Sequence, residues 1–283
     1  MGKFKGILIV SDIDGTFLSM DAENLKKNIE AVKKFKEQGG LFTFATGRDL
    51  NALLAVVPDA LSIANAPVIA LNGTQIYDAE RDKYIHDCPI ADKQLLAECL
   101  GLIRGKYPEV GVRFSSGNNM IVPDFNEMLK RNLRNVSLEK MRCIEMPLDE
   151  VINSGVKIYK CVVVDLDTPD NLEDIRKIFE GAVDKNGNNS GLCAPKSSRF
   201  QIEVMNGASS KGRAVKYLKE YTGASKVYAV GDYENDMDML KAADCGAAPA
   251  DAIDEIKRAA QIITAGCDEG AVADLIDIIG KRQ

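Results

Sequence analysis

The chain has 283 residues, enough to bury a substantial hydrophobic core in one large domain or two ordinary ones. Hydrophobic residues make up 46% and charged residues 28%, which is typical of a folded globular protein and argues against disorder. The 36 Lys and Arg residues against 42 Asp and Glu residues give a formal net charge of -6, and no basic run predicts nucleic-acid binding.

The first predicted element is the apolar run Ile7–Val10, which is typical of a buried strand and is too short to cross a bilayer. Directly after it the sequence reads Ser11-Asp12-Ile13-Asp14-Gly15-Thr16. Period-two geometry predicts that Asp12 and Asp14 point to the same side of the strand's end. Two neighbouring carboxylates repel each other, so the pattern indicates a bound cation, a shared proton, or both. This arrangement suits chemistry on a phosphate.

Strands and helices alternate over the first eighty residues. A helix ends at Gly39-Gly40, and a second strand, Leu41–Ala45, stops at Thr46-Gly47-Arg48. After another predicted helix, a third strand, Val68–Leu71, stops at Asn72-Gly73-Thr74. This order predicts right-handed crossovers and a parallel sheet. Each polar motif follows the carboxyl end of a strand, where open α/β sheets bind their ligands.

The same alternation returns near the C-terminus. Ser209 and Ser210 predict the start of a helix whose first turn carries Lys211, and the strand Val227–Val230 stops at Gly231-Asp232. A lysine in the first turn opposes the helix macrodipole and becomes favourable when an anion binds there.

Between about Tyr84 and Met205 the alternation gives way to hairpins and separate helices. We therefore predict an α/β protein whose parallel-sheet core comprises residues 1–83 and 206–283, with an inserted α+β cap domain over residues 84–205. A Gly/Asn-rich turn is predicted at Asn186–Gly191. The place of the insertion in the chain suggests a lid over the active edge of the core.

The polar motifs together predict phosphoryl transfer. Asp12 is the predicted nucleophile, which would form an aspartyl-phosphate. Asp14 is the predicted general acid, which would protonate the leaving oxygen and later deprotonate the attacking water. The Thr46 hydroxyl and neighbouring backbone donors are predicted to bind the transferring phosphoryl oxygens.

Carboxylates also crowd the strand-to-helix turn Gly231–Asp236, and Mg²⁺ prefers oxygen ligands. The predicted direct ligands are Asp12, the backbone carbonyl of Asp14, and Asp232. Asp236 would either bind the metal through water or hold Lys211, and Asn235 would orient phosphate or metal. We interpret Glu234 and Asp238 as solvated charges.

The seven cysteines contain no CxxC pair, and His86 is the single histidine. Neither a zinc site nor a disulfide framework is favoured, and no histidine-dependent nucleophile is expected. The N-terminal segment lacks the features of a signal peptide, so we expect a cytoplasmic protein with no membrane partner.

The chain resembles the haloacid dehalogenase (HAD) superfamily phosphatases, specifically the Cof-type group with a C2B-type α/β cap. Four motifs in order carry the resemblance: Asp12-Ile13-Asp14-Gly15-Thr16, Thr46-Gly47-Arg48, Lys211-Gly212, and Gly231-Asp232-Tyr233-Glu234-Asn235-Asp236-Met237-Asp238-Met239. Asn72-Gly73 and Asp268-Glu269-Gly270-Ala271-Val272 also look like that group.

The resemblance implies a Rossmann-like core, Mg²⁺, and hydrolysis of phosphomonoesters, commonly sugar phosphates and sometimes phosphorylated cofactors. It assigns substrate contacts to Gly47, Arg48, Asn72, Gly73 and Asn235. The chain departs from the family pattern after Cys245-Gly246, where Ala247-Ala248-Pro249-Ala250-Asp251 replaces a Met-Gly-Asn continuation. Because proline fixes the backbone, we expect a differently shaped loop beside the metal site.

These observations predict a magnesium-dependent hydrolase of small phosphorylated metabolites that works through an aspartyl-phosphate. Two alternatives stay open: a sugar phosphomutase with the same intermediate, and a non-catalytic phosphosugar-binding regulatory module. The oligomeric state is not predicted. The cap contains many basic residues, and the sequence does not rank those considered for substrate binding, among them Arg113, Arg131, Arg134, Lys157 and Lys160.

Overall fold

The computed structural model describes residues 2–139, 141–184, 187, 189 and 191–282. The strands are β1 Ile7–Ser11, β2 Leu41–Phe44, β3 Val68–Ala70, β4 Gln75–Asp78, β5 Lys83–Asp87, β6 Gly111–Ser116, β7 Asn119–Val122, β8 Cys143–Glu145, β9 Lys160–Val164, β10 Leu192–Cys193, β11 Lys196–Ser198, β12 Gln201–Asn206, β13 Lys226–Val230, β14 Cys245–Pro249 and β15 Ile262–Thr264. The helices are α1 Ala22–Glu37, α2 Leu50–Val56, α3 Ala60–Ile63, α4 Lys93–Lys106, α5 Glu127–Leu133, α6 Leu148–Asn153, α7 Asn171–Glu180, α8 Lys211–Thr222, α9 Met237–Ala242, α10 Asp254–Ala259 and α11 Ala271–Lys281.

The chain forms two compact units. The first comprises residues 1–48, 56–87 and 210–283, and the second comprises residues 49–55 and 88–209. The first junction falls after β5 and not at residue 84, because β5 pairs with β4 and so stays with the first unit. The segment 49–55 groups with the second unit, which sequence patterns did not predict.

The first unit is built on a five-stranded parallel sheet with the order β15-β14-β13-β1-β2. All five residues of β1 are buried, as expected for a central strand covered on both faces. The predicted third strand, β3, forms an antiparallel sheet with β4 and β5. A parallel bridge between Ala45 and Ile69 links β3 to the chain just beyond β2.

The second unit contains a sheet with the order β10-β12-β9-β6-β7-β8, and β11 pairs with β12. Its pairings are antiparallel except for the parallel pair β7 and β8. Apolar residues of α4, α6 and α7 pack on one face of this sheet, and those of α5 pack on the other. The predicted turn at Asn186–Gly191 contains Asn186, Asn188 and Ser190, which lie outside the described residues.

The fold class is therefore confirmed: the protein is α/β, with a Rossmann-like parallel-sheet core and an inserted α+β domain. Among the described residues, no helix is long and apolar enough to span a bilayer.

Candidate active site

Strand register brings three polar segments to one edge of the parallel sheet. Ser11, the last residue of β1, pairs with Phe44 of β2 and Val230 of β13. The chain continues from these strands into Asp12, Thr46 and Asp232. The Asp12 amide donates to the Val230 carbonyl at 2.9 Å, which fixes the backbone of the predicted nucleophile against β13.

Lys211 reaches this edge from the start of α8. The Ser210 side chain caps the helix by accepting from the Arg213 amide at 3.2 Å, as predicted from sequence. Lys211 Nζ donates to Asp12 Oδ1 at 2.5 Å and to Asp236 Oδ1 at 2.6 Å. With its side chain fully buried, the lysine forms short charge-assisted bonds to two carboxylates.

The Asp236 carboxylate accepts hydrogen bonds from Lys211 and from the backbone of its own turn. While Oδ1 accepts from Lys211, Oδ2 accepts from the Asp232 amide at 3.1 Å and the Tyr233 amide at 3.3 Å. A side chain on Gly231 would collide with Asp236, because a Cβ there would lie 2.4 Å from the carboxylate carbon. Of the two roles predicted for Asp236, these contacts match the one in which it holds Lys211.

The carboxylates of Asp12, Asp232 and Asp236 form a compact acidic group. One oxygen of each lies within 4.8 Å of the others, a spacing that allows a shared metal ion. Thr16 Oγ1 donates to Asp232 Oδ1 at 3.3 Å and so helps to orient that carboxylate. Gly15 has a φ of +76°, and a Cβ there would lie 2.4 Å from Asp232 Oδ2, so this turn needs glycine.

The electrostatics of this group favour an added cation. Burial, followed by the charge of Asp236, raises the pKa of Asp12 well above its usual range and that of Asp232 to about 7. Burial opposes the charge of Lys211, but the Asp12 and Asp236 carboxylates outweigh it and raise the lysine pKa. Three acids around one lysine leave excess negative charge, and their hard oxygen ligands fit a divalent cation such as Mg²⁺.

The Asp14 side chain is not part of this acidic group. Arg48 Nε donates to Asp14 Oδ2 at 2.8 Å, and Nη2 donates to Oδ1 at 2.7 Å, in a bidentate pair. The Asp14 side chain is 51% exposed, whereas that of Asp12 is buried. The pair joins two predicted site residues in a contact that sequence patterns did not indicate.

The remaining predicted residues form a linked set of turns. Thr46 is buried, its hydroxyl accepts from the Arg48 amide across Gly47 at 3.1 Å, and its carbonyl accepts from the Asn72 amide at 2.9 Å. Asn235 Nδ2 donates to Asn72 Oδ1 at 3.3 Å. These bonds connect the turns after β2, β3 and β13.

Gly73 packs directly against the start of α8. Its φ is +92°, and a Cβ would lie only 2.3 Å from the Ser210 carbonyl oxygen. The Asn72-Gly73 turn therefore contacts Ser210, the residue before Lys211, and so lies beside the predicted site.

One acid near the site was interpreted wrongly from sequence. Asp238 was expected to be solvated, but it is half-buried and its Oδ2 accepts from the Gly212 amide at 3.0 Å. It thereby binds one of the free amides in the first turn of α8, beside Lys211. No local sequence signal indicated this contact, because Asp238 lies in the first turn of α9 and its partner is in α8.

The loop that departs from the family pattern also contacts the acidic segment. Pro249 ends β14, and the Asp251 carboxylate accepts from the Cys267 amide at 3.1 Å. The Ile253 amide donates to the Asp232 carbonyl at 3.1 Å, so this loop helps to fix the backbone of a predicted metal ligand.

Comparisons with known proteins agree with this architecture. A family model for haloacid dehalogenase-like hydrolases matches residues 9–276. The chain is 28% identical to the 5-amino-6-(5-phospho-D-ribitylamino)uracil phosphatase YwtE of Bacillus subtilis, covering 97% of this chain and 98% of YwtE. It is 26% identical to the pyridoxal phosphate phosphatase YbhA of Escherichia coli, covering 95% of this chain and 97% of YbhA.

The fold is also similar to that of the solved HAD subclass IIB sugar phosphatase BT4131. The TM-score is 0.76 at 19% identity, and the match covers 96% of this chain and 98% of BT4131. Because the family model spans nearly the whole chain, the protein belongs to the haloacid dehalogenase-like hydrolase family and is a Cof-type phosphatase within it.

Proposed function

We propose that the protein is a magnesium-dependent phosphomonoester hydrolase for small phosphorylated metabolites, with sugar phosphates as the favoured class. The observation that carries this proposal is the buried group in which Lys211 joins Asp12 to Asp236 beside Asp232. A lysine and a divalent cation on either side of one carboxylate would let that carboxylate approach a dianionic phosphate.

In the proposed reaction, Asp12 attacks phosphorus as the bond to the leaving oxygen breaks, which forms an aspartyl-phosphate. Asp14 gives its proton to the leaving oxygen. Asp14 then takes a proton from the water that attacks phosphorus, and Asp12 is released with inorganic phosphate. Lys211 and the Thr46 turn would stabilise the charge on the phosphoryl oxygens throughout.

Mg²⁺, when bound, would offset the charge on the phosphoryl oxygens. Asp12, Asp232 and the Asp14 backbone carbonyl are the proposed direct ligands. Asp236 holds Lys211 and the turn that carries Asp232, so its proposed role is to position both.

We propose that substrate binding frees Asp14, the general acid, from its bidentate pair with Arg48. Asp14 needs a free carboxyl to exchange protons, but Arg48 occupies both of its oxygens. We assign Arg48 to the substrate, together with Gly47, Asn72, Gly73 and Asn235. An incoming phosphate would compete for the guanidinium group and free Asp14.

The names of the relatives support small phosphomonoesters as substrates. YwtE is named for a ribityl phosphate and YbhA for pyridoxal phosphate. Both leaving groups are small and carry hydroxyl groups. We further propose that the inserted unit, residues 88–209 with 49–55, acts as the cap that determines substrate specificity.

The test is release of inorganic phosphate from a panel of sugar phosphates, pyridoxal phosphate and p-nitrophenyl phosphate, with and without Mg²⁺. We expect Asp12→Asn to lower kcat by about four powers of ten, because the nucleophile is removed. Asp167→Asn, which changes an exposed carboxylate, is the control.

Equal turnover by Asp12→Asn and wild type would exclude covalent catalysis through Asp12. Isomerised sugar phosphate in place of free phosphate would identify a phosphomutase. Saturable binding with no phosphate release would identify a regulatory module.

A further inference from the structure

A second acid, besides Asp236, bonds to the start of α8. Asp238, in the first turn of α9, accepts a hydrogen bond from the Gly212 amide through Oδ2 at 3.0 Å. Gly212 follows Lys211 in the first turn of α8, where backbone amides find no partner within their own helix. The approach is close, because a Cβ on Gly212 would lie 2.4 Å from the Asp238 carbonyl oxygen. Asp238 therefore caps the helix that carries Lys211 from the neighbouring helix.

Asp236 and Asp238 hold Lys211 at the two ends of its side chain. Asp236 bonds to the ammonium group at 2.6 Å, and Asp238 bonds to the backbone of the next residue. Both acids belong to one short segment, since Asp236 directly precedes α9 and Asp238 is the second residue of that helix. This segment is itself fixed, because Asp236 Oδ2 accepts from the Asp232 amide at 3.1 Å. One segment thus determines where Lys211 Nζ lies relative to Asp12, to which it also bonds.

The charge of Asp238 also suits this position. A helix N-terminus carries a partial positive charge, and Lys211 adds a full positive charge in the same turn. A carboxylate beside the Gly212 amide offsets both charges. One capping bond contributes only a small part of the free energy of folding, whereas a displacement of a reacting group by about 1 Å can lower a rate by about 100-fold. Loss of the Asp238 contact should therefore affect catalysis more than stability.

From these contacts we infer that Asp238 is a positioning residue for phosphoryl transfer. It fixes the start of α8, so that Lys211 Nζ is held beside Asp12 where the phosphoryl oxygens would lie. Asp238 acts through the lysine and takes no proton in the reaction. This inference rests on the proposed function, because the role of Lys211 belongs to that reaction.

The test compares wild type with Asp238→Ala and Asp238→Asn in steady-state kinetics with Mg²⁺ and the best substrate of the panel. Alanine removes the acceptor for the Gly212 amide, whereas asparagine keeps a carbonyl oxygen that can accept the same bond. The matched control is Asp274→Ala. Like Asp238, Asp274 is half-buried in the first turn of a helix and accepts from an amide outside that helix, here Ala265 at 2.8 Å.

We expect Asp238→Ala to lower kcat by about 10- to 100-fold and to change KM by less than about threefold, because a displaced Lys211 stabilises the transition state less. Asp238→Asn should return kcat to within about threefold of wild type, since the hydrogen bond is kept. The control Asp274→Ala should keep the wild-type kcat. Thermal unfolding of every variant would verify that each is folded.

A double-mutant cycle with Lys211→Met tests whether Asp238 acts through the lysine. In the Lys211→Met background, adding Asp238→Ala should lower kcat by less than about threefold, because the side chain that Asp238 positions is no longer present. If Asp238 contributed only to the general stability of the fold, Asp238→Ala would lower kcat by the same factor in both backgrounds.

Four results would overturn the inference alone. They are a fully active Asp238→Ala, no recovery by Asp238→Asn, equal factors in the two backgrounds of the cycle, and a fall in kcat for Asp274→Ala as large as that for Asp238→Ala. If wild type releases phosphate from no substrate, the proposed function fails and the inference fails with it.

Discussion

Each of the two units contains a buried lysine that bonds to carboxylate, but the number of carboxylates around the two lysines differs. Lys211 bonds to both Asp12 and Asp236, with Asp232 beside them, and its pKa is raised. Lys160 bonds to Glu203, but burial and the nearby charge of Arg113 lower the lysine pKa. The first site has an excess of negative charge, whereas the second does not.

This difference indicates what each site can accept. Excess carboxylate charge in a buried position is stabilised by a metal cation, as phosphoryl transfer requires. Lys160 and Glu203 neutralise each other, so this pair has no such need. We therefore expect the first site, and not the second, to bind a metal cation.

Removing the metal should have the largest effect. Chelation with EDTA should abolish phosphate release, and added Mg²⁺ should restore it, because the acidic group then regains its counter-charge. Mg²⁺ at 100 times its dissociation constant should also stabilise the fold by about 2.7 kcal/mol, measured by urea unfolding. Full activity in EDTA would contradict the proposed metal site.

Lys211→Met tests the acidic group around this lysine directly. The variant leaves Asp12 and Asp236 buried without their cation, so we expect kcat to fall by about two to three powers of ten. Urea unfolding should show a loss of about 3–5 kcal/mol, the usual cost of breaking a buried ion pair. Lys219→Met, which breaks a half-exposed pair with Asp244, serves as the control. An active and fully stable Lys211→Met would refute the role given to this lysine.

For the Lys160–Glu203 pair, we expect the free energy of unfolding to change differently in single and double variants. Lys160→Met removes the cation that bonds to the buried Glu203, with an expected loss of about 3–5 kcal/mol. The double variant Lys160→Met/Glu203→Met should recover most of this loss, since both members of the ion pair are then removed. Urea unfolding of both variants measures the difference, and equal losses would show that the pair itself stabilises the fold.

The smallest expected effect concerns the half-exposed pair of Lys219 and Asp244. Burial opposes the Asp244 charge, but hydrogen bonds from Lys219 and the Val227 amide hold its pKa below the usual value. The resulting stability is present above the unfolded-state pKa of Asp, about 3.9, and is lost as the pH falls through the lower folded-state pKa. Asp244→Asn should therefore cost about 0.2–1 kcal/mol at pH 7, and less as the pH falls below 4. A cost that does not change with pH would mean that the charge is unimportant.

Much of the site was predictable because strand ends in a parallel sheet meet at one edge. The sequence placed Asp12, Thr46 and Asp232 just beyond three strands, and register brings those strand ends level. It also placed Lys211 in the first turn of a capped helix, and in the structure Lys211 is the first residue of α8.

The features that were missed depend on side-chain direction and on distant contacts. Extended geometry was assumed beyond Ser11, but β1 ends there, and the Ile13 carbonyl accepts from the amides of Phe17 and Leu18 in a turn. Asp14 is consequently free to pair with Arg48. Asp238 was missed because its partner, Gly212, lies 26 residues away on another helix, a contact that local patterns do not encode.

The bond between Lys211 and Asp12 joins residues 199 positions apart, which has a consequence for biosynthesis. The central strand β1 leaves the ribosome early, but its neighbour β13 and the lysine emerge only after the entire inserted unit has been translated. Such a high contact order makes core assembly slow and leaves an unpaired strand edge on the nascent chain. Activity can therefore appear only late in synthesis, and any chain that stops before residue 211 lacks a functional centre.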